Sequence, residues 1–279
     1  MSESPRPLNY RLIGHVTNDL TPSGVTLGGT VAYAGLTASA LGAEVGIVTA
    51  CAADVDLKPL MTTDLITFPS EQTTTFSNVE RPQGRAQKIS ARARTLSLDM
   101  LPTYWRNADI LHLAPVADEI DLDALDQIAS ASLFITPQGW LRAWDESGRI
   151  IKKSWQHISD ILSLCHSAVC SAEDLDNDPA AARGMASQVP LLVITRSGQG
   201  ATLYLNGKEH VIEGMSVDVA DSTGSGDIFA AVFFFEIQSG SDPHDAALRA
   251  NYLAGCSVTR RWLESIPTQS EIERARGNL

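Results

Sequence analysis

Asp221-Ser222-Thr223-Gly224-Ser225-Gly226-Asp227 runs directly into the apolar stretch Ile228-Phe229-Ala230-Ala231-Val232-Phe233-Phe234-Phe235. Small residues and a carboxylate ahead of such a run predict a glycine-rich turn that opens a buried helix. The first N–H groups of a helix have no intrahelical acceptor, and the helix dipole adds partial positive charge at that end. The turn is therefore suited to an anion such as a phosphate in transfer. Asp227 falls in the first helical turn, where it either caps the helix or takes the proton of an attacking hydroxyl.

Composition narrows the partners. The chain has 279 residues, 44% of them hydrophobic, enough to fill one large α/β core. A net charge of −12 argues against nucleic acid or an anionic membrane surface. No apolar run approaches the roughly 18 residues of a membrane span. The opening Met1-Ser2-Glu3-Ser4-Pro5-Arg6-Pro7 lacks the apolar core of a signal peptide. A cytoplasmic location is expected. Cys51, Cys165, Cys170 and Cys256 show no metal-site spacing and read as reduced thiols.

Around the opening stretch, strands and helices alternate. Tyr10–Ile13, Val45–Ala50, Ile110–Leu113, Ser132–Thr136, Ala168–Cys170 and Leu191–Thr195 are short apolar runs read as strands. Thr30–Leu41, rich in alanine and closed by Gly42, reads as a helix, and Leu122–Ile128 has a helical pattern. This order implies right-handed crossovers and a mostly parallel sheet covered on both faces. Thr73–Ser97 breaks the rhythm. It alternates polar and β-forming residues around Arg81-Pro82-Gln83-Gly84, which predicts an antiparallel hairpin, either a lid or a plain edge element. With no linker or repeat, residues 1–279 are expected to form a single domain, with 73–97 as a β-hairpin lid.

The Asp221–Asp227 stretch closely resembles the Asp-Thr-x-Gly-Ala-Gly-Asp signature of the ribokinase-like (PfkB) carbohydrate kinases. Gly14 with Asp19, the pair Gly28-Gly29, Leu41–Val45, Thr195-Arg196-Ser197-Gly198-Gln199-Gly200 and Asn251–Thr268 resemble further family segments in the family's order. The resemblance implies a three-layer α/β/α fold with a small β lid, and an ATP-dependent kinase acting on an alcohol. It implies Asp227 as base, with Gly224, Ser225 and Gly226 as an anion hole. Thr195, Arg196, Gly198, Gly200 and Asn251 would meet the nucleotide. Asp19, Gly28, Gly29, Tyr33, Gln138 and Trp140 would meet the substrate. Asp174 and Glu173 would organise Mg2+ through water, and Asp221 and Thr223 would bind a monovalent cation such as K+.

The residues leave alternatives open. Tyr33 stands where the family often has Asn, and it is either a substrate contact or core. Trp140 and Trp144 either stack on a ring or pack beneath their loop. Thr136-Pro137-Gln138-Gly139-Trp140 replaces the family's Asp-Pro-Asn-x-Arg, and Ser171-Ala172-Glu173-Asp174 lacks the Asn of its metal motif. Glu173–Asp178 reads equally as a solvated acidic run. Arg196 is either a phosphate ligand or a surface residue. Ser197 replaces a glycine, and the Asp19–Gly28 interval leaves little room for a large first lid element.

The departures at Tyr33 and Thr136–Trp140 argue against an ordinary ribose or fructose kinase, and the absence of a dense Arg/Lys cluster argues against a phosphorylated sugar. The acceptor expected is a small polyhydroxylated one (a sugar, a polyol such as inositol, or a nucleoside), with a polyol or nucleoside fitting best. A vitamin-type kinase acting on a hydroxymethylpyrimidine or pyridoxal-like ring and a non-catalytic sugar-binding relative are the alternatives. A homodimer through the lid, with Phe76 and Ile89 at the interface, is the oligomer to look for.

Overall fold

The computed structural model describes residues 6–81, 84–123, 125–128 and 132–277. In chain order it runs β1 (Asn9–Ile13), β2 (Thr17–Thr21), β3 (Gly24–Gly28), α1 (Thr30–Ala40), β4 (Glu44–Cys51) and β5 (Asp64–Pro69). Then come β6 (Thr74–Arg81), β7 (Gly84–Ala91), β8 (Leu96–Ser97), β9 (Ile110–Leu113), β10 (Ile120–Asp121) and β11 (Leu133–Ile135). β12 (Arg142–Trp144), β13 (Ile150–Lys152), α2 (Ser159–Leu164), β14 (Ser167–Ser171), α3 (Pro179–Ala186) and β15 (Leu191–Thr195) follow. The chain closes with β16 (Gly200–Leu205), β17 (Lys208–Glu213), α4 (Ser225–Gln238), α5 (Pro243–Ser257) and α6 (Gln269–Gly277).

Nine strands form the main sheet in the order β17-β16-β15-β14-β11-β9-β1-β4-β5. The seven from β5 to β15 are parallel, and β16 and β17 join antiparallel at one edge. Side chains alternate across the strands, so consecutive apolar residues fill two different cores. Leu12, Ile47, Ile110, Phe134, Val169 and Val193 face the layer of α1, α4, α5 and α6. Ile13, Val48, Leu111, Ile135, Ala168 and Leu192 face the layer of α2, α3 and their connecting turns. This is a three-layer α/β/α fold. Short apolar runs without alternating polar residues are what a sheet buried on both faces requires.

Strand order reverses between β1 and β9, which makes a crevice beyond their carboxyl ends, the place where open α/β sheets hold ligands. A second sheet, ordered β3-β2-β6-β7, stands at that end. Three expectations are corrected here. Asp19, expected just past the end of the first strand, lies within β2, and the short Asp19–Gly28 interval forms the β2–β3 hairpin. The small element is thus a four-stranded sheet, because β6 pairs parallel with β2 as well as antiparallel with β7. Phe76 and Ile89 are 3% and 5% exposed and pack on Val116 and Ala117, which removes them as interface candidates. The exposed apolar pair on the outer face of that sheet is Leu20 and Val25, directly opposite each other.

The expected turn residues Pro82 and Gln83 lie outside the described residues, as do Met1–Pro5. Of the helical pattern at Leu122–Ile128, the described part is a 3-10 turn over Leu125–Ile128. Among the described residues no helix is long and apolar enough to cross a membrane. Cys51, Cys165, Cys170 and Cys256 are free thiols.

The small sheet is tied to the body by buried polar groups. His15, between β1 and β2, donates from Nε2 to the Arg94 carbonyl at 2.8 Å, which leaves Nδ1 to accept from the Thr74 hydroxyl at 2.7 Å. Burial lowers the His15 pKa and keeps the ring neutral. Glu119, fully buried, accepts from the N–H groups of His15 at 2.9 Å, Val116 at 2.9 Å and Ala117 at 2.6 Å.

Candidate active site

Gly224 caps α4 with φ of 78°, a left-handed conformation that glycine adopts without strain. A Cβ there would lie 2.3 Å from the Tyr33 ring, so both conformation and space demand glycine. Tyr33 itself is 1% exposed, which assigns it to the core beneath the turn rather than to a substrate surface. Ser225 braces the turn by donating its hydroxyl to the Ser222 carbonyl at 2.9 Å. Ile228 N–H makes the first bond of the helical ladder, to the Gly224 carbonyl at 2.9 Å. The N–H groups of Gly226 and Asp227 precede that ladder. A Cβ on Gly226 would meet no protein atom within 4 Å, so internal packing does not require glycine at this position.

Asp227 accepts a 2.7 Å hydrogen bond at Oδ1 from the Thr30 hydroxyl. Burial pushes its carboxyl up to about 6, with the Asp19 and Asp174 charges acting in the same direction. The Thr30 bond and the Arg142 charge oppose that rise. The paired glycines serve these acids. A Cβ on Gly28 would lie 2.3 Å from Asp19 Oδ2, and Gly29, at φ of 91°, would drive one to 2.4 Å from the His15 carbonyl. Asp19 is 9% exposed and accepts from the Thr17 hydroxyl at 3.0 Å. Gly29 is also the N-cap of α1, whose first residue is Thr30.

The Thr136–Arg142 loop approaches from the other side of the crevice. His112, fully buried below it, pairs through Nε2 with the Thr136 hydroxyl at 3.0 Å. Gln138 bonds the Asp174 side chain. Arg142 Nη2 stands 3.6 Å from Asp174 Oδ1, with the two side chains 15% and 10% exposed. Burial raises the Asp174 pKa, and the Arg142 charge resists. Trp140 is corrected from a substrate contact to a packing residue. It is 2% exposed, and its Nε1 donates to the Ile120 carbonyl at 3.1 Å. Trp144 packs, partly buried, on the cluster of Phe76 and Ile89.

The acidic run divides. Asp174 turns inward, while Glu173, one residue before it, is exposed. Among the described residues no cluster of His, Cys, Asp or Glu has a metal-binding arrangement. Asp221 Oδ1 accepts from the Thr223 N–H at 2.9 Å, an Asx turn that leads into the Gly224 cap.

In the turn expected to meet the nucleotide, Gly200 has φ of 85°, and a Cβ there would lie 2.1 Å from the Ile212 carbonyl. A Cβ on Gly198 would meet nothing. Thr195 ends β15 on the crevice side, its hydroxyl 3.5 Å from the Cys170 carbonyl. Arg196 folds back, Nη2 donating to the Ala201 carbonyl at 3.2 Å, so its guanidinium braces its own turn. Asn251, on α5, donates to the Glu213 carbonyl at 2.9 Å. Two residues of the site carried no role in the sequence: Thr30, legible only as a helix opening, and Arg142, two residues beyond the motif-like Thr136–Trp140.

Comparison with known proteins agrees with this architecture. The model of the pfkB family of carbohydrate kinases matches residues 84–269. A fructokinase from Escherichia coli is 24% identical over 188 residues, 61% of this chain and 61% of its own length. This chain therefore spans less than two thirds of that relative. Among solved structures, a pyrophosphate-dependent kinase of the ribokinase family, complexed with a pyrophosphate analog and myo-inositol, superposes with a TM-score of 0.78 at 17% identity. The match covers 92% of this chain and 98% of that one. A ribokinase from Arabidopsis thaliana, complexed with ribose and ATP, gives 0.75 at 15% identity over 98% and 100% of the two chains.

Proposed function

Because this chain belongs to the pfkB family of carbohydrate kinases, we propose that it transfers the γ-phosphoryl group of ATP to a hydroxyl of a small, neutral, polyhydroxylated acceptor. The observation that carries this reading is Asp227. A carboxyl pushed up to about 6 stands in the first turn of α4 beside N–H groups outside the helical ladder. Such a group is ionised at neutral pH yet basic enough to accept a proton, as a general base requires. Asp227 takes the acceptor's proton as its oxygen attacks phosphorus. The N–H groups of the Gly224–Gly226 turn stabilise the charge on the transferring oxygens, and positioning and electrostatics supply the rate. Asp19, on the small sheet, holds acceptor hydroxyls, and that sheet acts as a lid that limits water at the reacting oxygen.

Magnesium is the charge-neutralising partner of a nucleoside triphosphate. Glu173, exposed, and Asp174, paired with Arg142, do not fit the role of organising it. A polyol acceptor such as an inositol is favoured over a phosphorylated one, since the charges acting on Asp227 are those of Asp19 and Asp174 against Arg142. The four-stranded lid argues against a vitamin-type kinase, and the intact Asp227 argues against a non-catalytic binder. Inorganic pyrophosphate is the second reading of the donor. Its support is that Asn251, expected to meet the nucleotide, already donates its amide to the Glu213 carbonyl.

The test is phosphate transfer from ATP and from pyrophosphate across a panel of sugars, inositols and nucleosides, with Asp227→Asn alongside. Turnover of one acceptor that Asp227→Asn abolishes supports the reading. Turnover of fructose 6-phosphate alone overturns the acceptor class.

A further inference from the structure

Arg142 is placed as a ligand-binding cation is placed. It opens β12 directly after the Pro137–Leu141 turn, and its side chain is 15% exposed. A guanidinium carries five N–H donors in a rigid fork. Among the described residues its one ion pair is with Asp174, through a single Nη2–Oδ1 approach of 3.6 Å, too long for a hydrogen bond, and its charge also acts on Asp227. Two other partly buried arginines bond their carboxylate partners directly. Arg260 donates to both Glu271 oxygens at 2.7 and 3.0 Å, and Arg249 donates to Glu236 at 2.6 Å and Ser241 at 3.1 Å. Arg142 thus keeps its fork beside Asp227 with the donors unspent. Asp174, in turn, is held by Arg142 and Gln138, both from the same loop.

We propose that Arg142 is a further catalytic residue, donating hydrogen bonds to acceptor hydroxyl oxygens next to the one Asp227 deprotonates, and that Asp174 is its counter-ion rather than an organiser of magnesium. This rests on the kinase reading above. In the step, the acceptor O–H bond breaks and its proton goes to Asp227. The acceptor oxygen bonds to the γ-phosphorus of ATP, and the bridging oxygen leaves with ADP. Arg142 bonds the acceptor before and during that step. Its full charge offsets part of the negative charge that Asp19, Asp174 and Asp227 place around the oxygen. Asp174 orients the fork, and its pairing with Arg142 and its bond from Gln138 turn it away from a metal.

The experiment uses the whole chain and the acceptor identified by the panel. It measures acceptor binding by calorimetry without donor, kcat and KM, and the magnesium concentration giving half-maximal rate. The variants are Arg142→Gln, Arg142→Lys and Asp174→Asn, each checked by thermal melting. Arg142→Gln should weaken acceptor binding at least tenfold and lower kcat/KM by about 10²–10³-fold, the usual loss for one charge-stabilising donor. Arg142→Lys should recover part of both and decides the matter if the Gln variant does not fold. Asp174→Asn should raise the acceptor KM and leave the magnesium requirement within about twofold of wild type. Folded Arg142 variants with wild-type acceptor binding and kcat/KM overturn the proposal while the kinase reading stands. So does an Asp174→Asn protein whose magnesium requirement rises tenfold with unchanged acceptor binding. A wild-type chain that phosphorylates no acceptor overturns the kinase reading, and the proposal falls with it.

Discussion

At the scale of single residues, Asp227, the proposed base, should govern both rate and stability. Replacing it with Asn removes the base and should lower kcat by at least about 10²-fold, measured as ADP release at saturating acceptor. The wild-type rate should fall as pH drops through about 6, where the carboxyl protonates. The stability effect has the opposite sense. The folded carboxyl holds its proton up to about 6, whereas the unfolded one releases it near the ordinary aspartate value of 3.8. Between those values the unfolded state binds fewer protons, so folding weakens as pH rises and levels off above 6. Asp227→Asn escapes that loss. It should melt like wild type near pH 3 and be more stable by about 1–3 kcal/mol at pH 8. Equal melting at both pH values would deny that burial strains this carboxylate.

At the scale of the element, the turn before α4 separates two reasons for glycine that the motif presents as one. Gly224→Ala forces a side chain into left-handed backbone and into the Tyr33 ring, and should destabilise the fold by roughly 3 kcal/mol in urea unfolding. Gly226→Ala adds a methyl that meets no protein atom. It should melt like wild type while raising the KM of the phosphate donor by tenfold or more, since a Cβ there stands where a phosphate would approach the N–H groups. A Gly226→Ala protein with an unaltered donor KM would show that the donor does not approach the turn this way.

The same division runs through the other motifs. Gly28-Gly29 was expected to meet the substrate, yet what lies against Gly28 is Asp19 of the same chain. The pair Trp140 and Trp144 left stacking and packing equally open in the sequence. The Ile120 carbonyl, reached by the Trp140 N–H, decides for packing at that residue.

At the scale of the whole molecule, the lid and the sheet meet at one buried node of His15, Thr74, Arg94 and Glu119. Glu119→Ala leaves the N–H groups of His15, Val116 and Ala117 buried without their acceptor, and should cost about 3 kcal/mol or more. The loss should concentrate at the lid. Amide hydrogen exchange over residues 74–77 and 87–91 should rise before that of β1 or β9. Uniform exchange across the main sheet would mean that the node supports the body and not the lid.

The sequence by itself determined the main sheet and the turn that opens α4. Apolar runs such as Val45–Ala50 and Leu191–Thr195 carry their burial in their own residues, and Gly224–Asp227 carries its geometry in local backbone rules. Only the tertiary structure decided which charged groups share the crevice. Thr30 and Asp227 are 197 residues apart, and Arg142 meets Asp174 from a different loop. The sequence left Tyr33 and Trp140 open between surface and core and placed Phe76 and Ile89 at an interface; the fold buries all four. An apolar or aromatic residue reads alike in both places. The physical reason is range. Backbone conformation and hydrophobic period act over a few residues, whereas the pKa of a base and the partner of an arginine depend on charges that only the folded chain brings within reach.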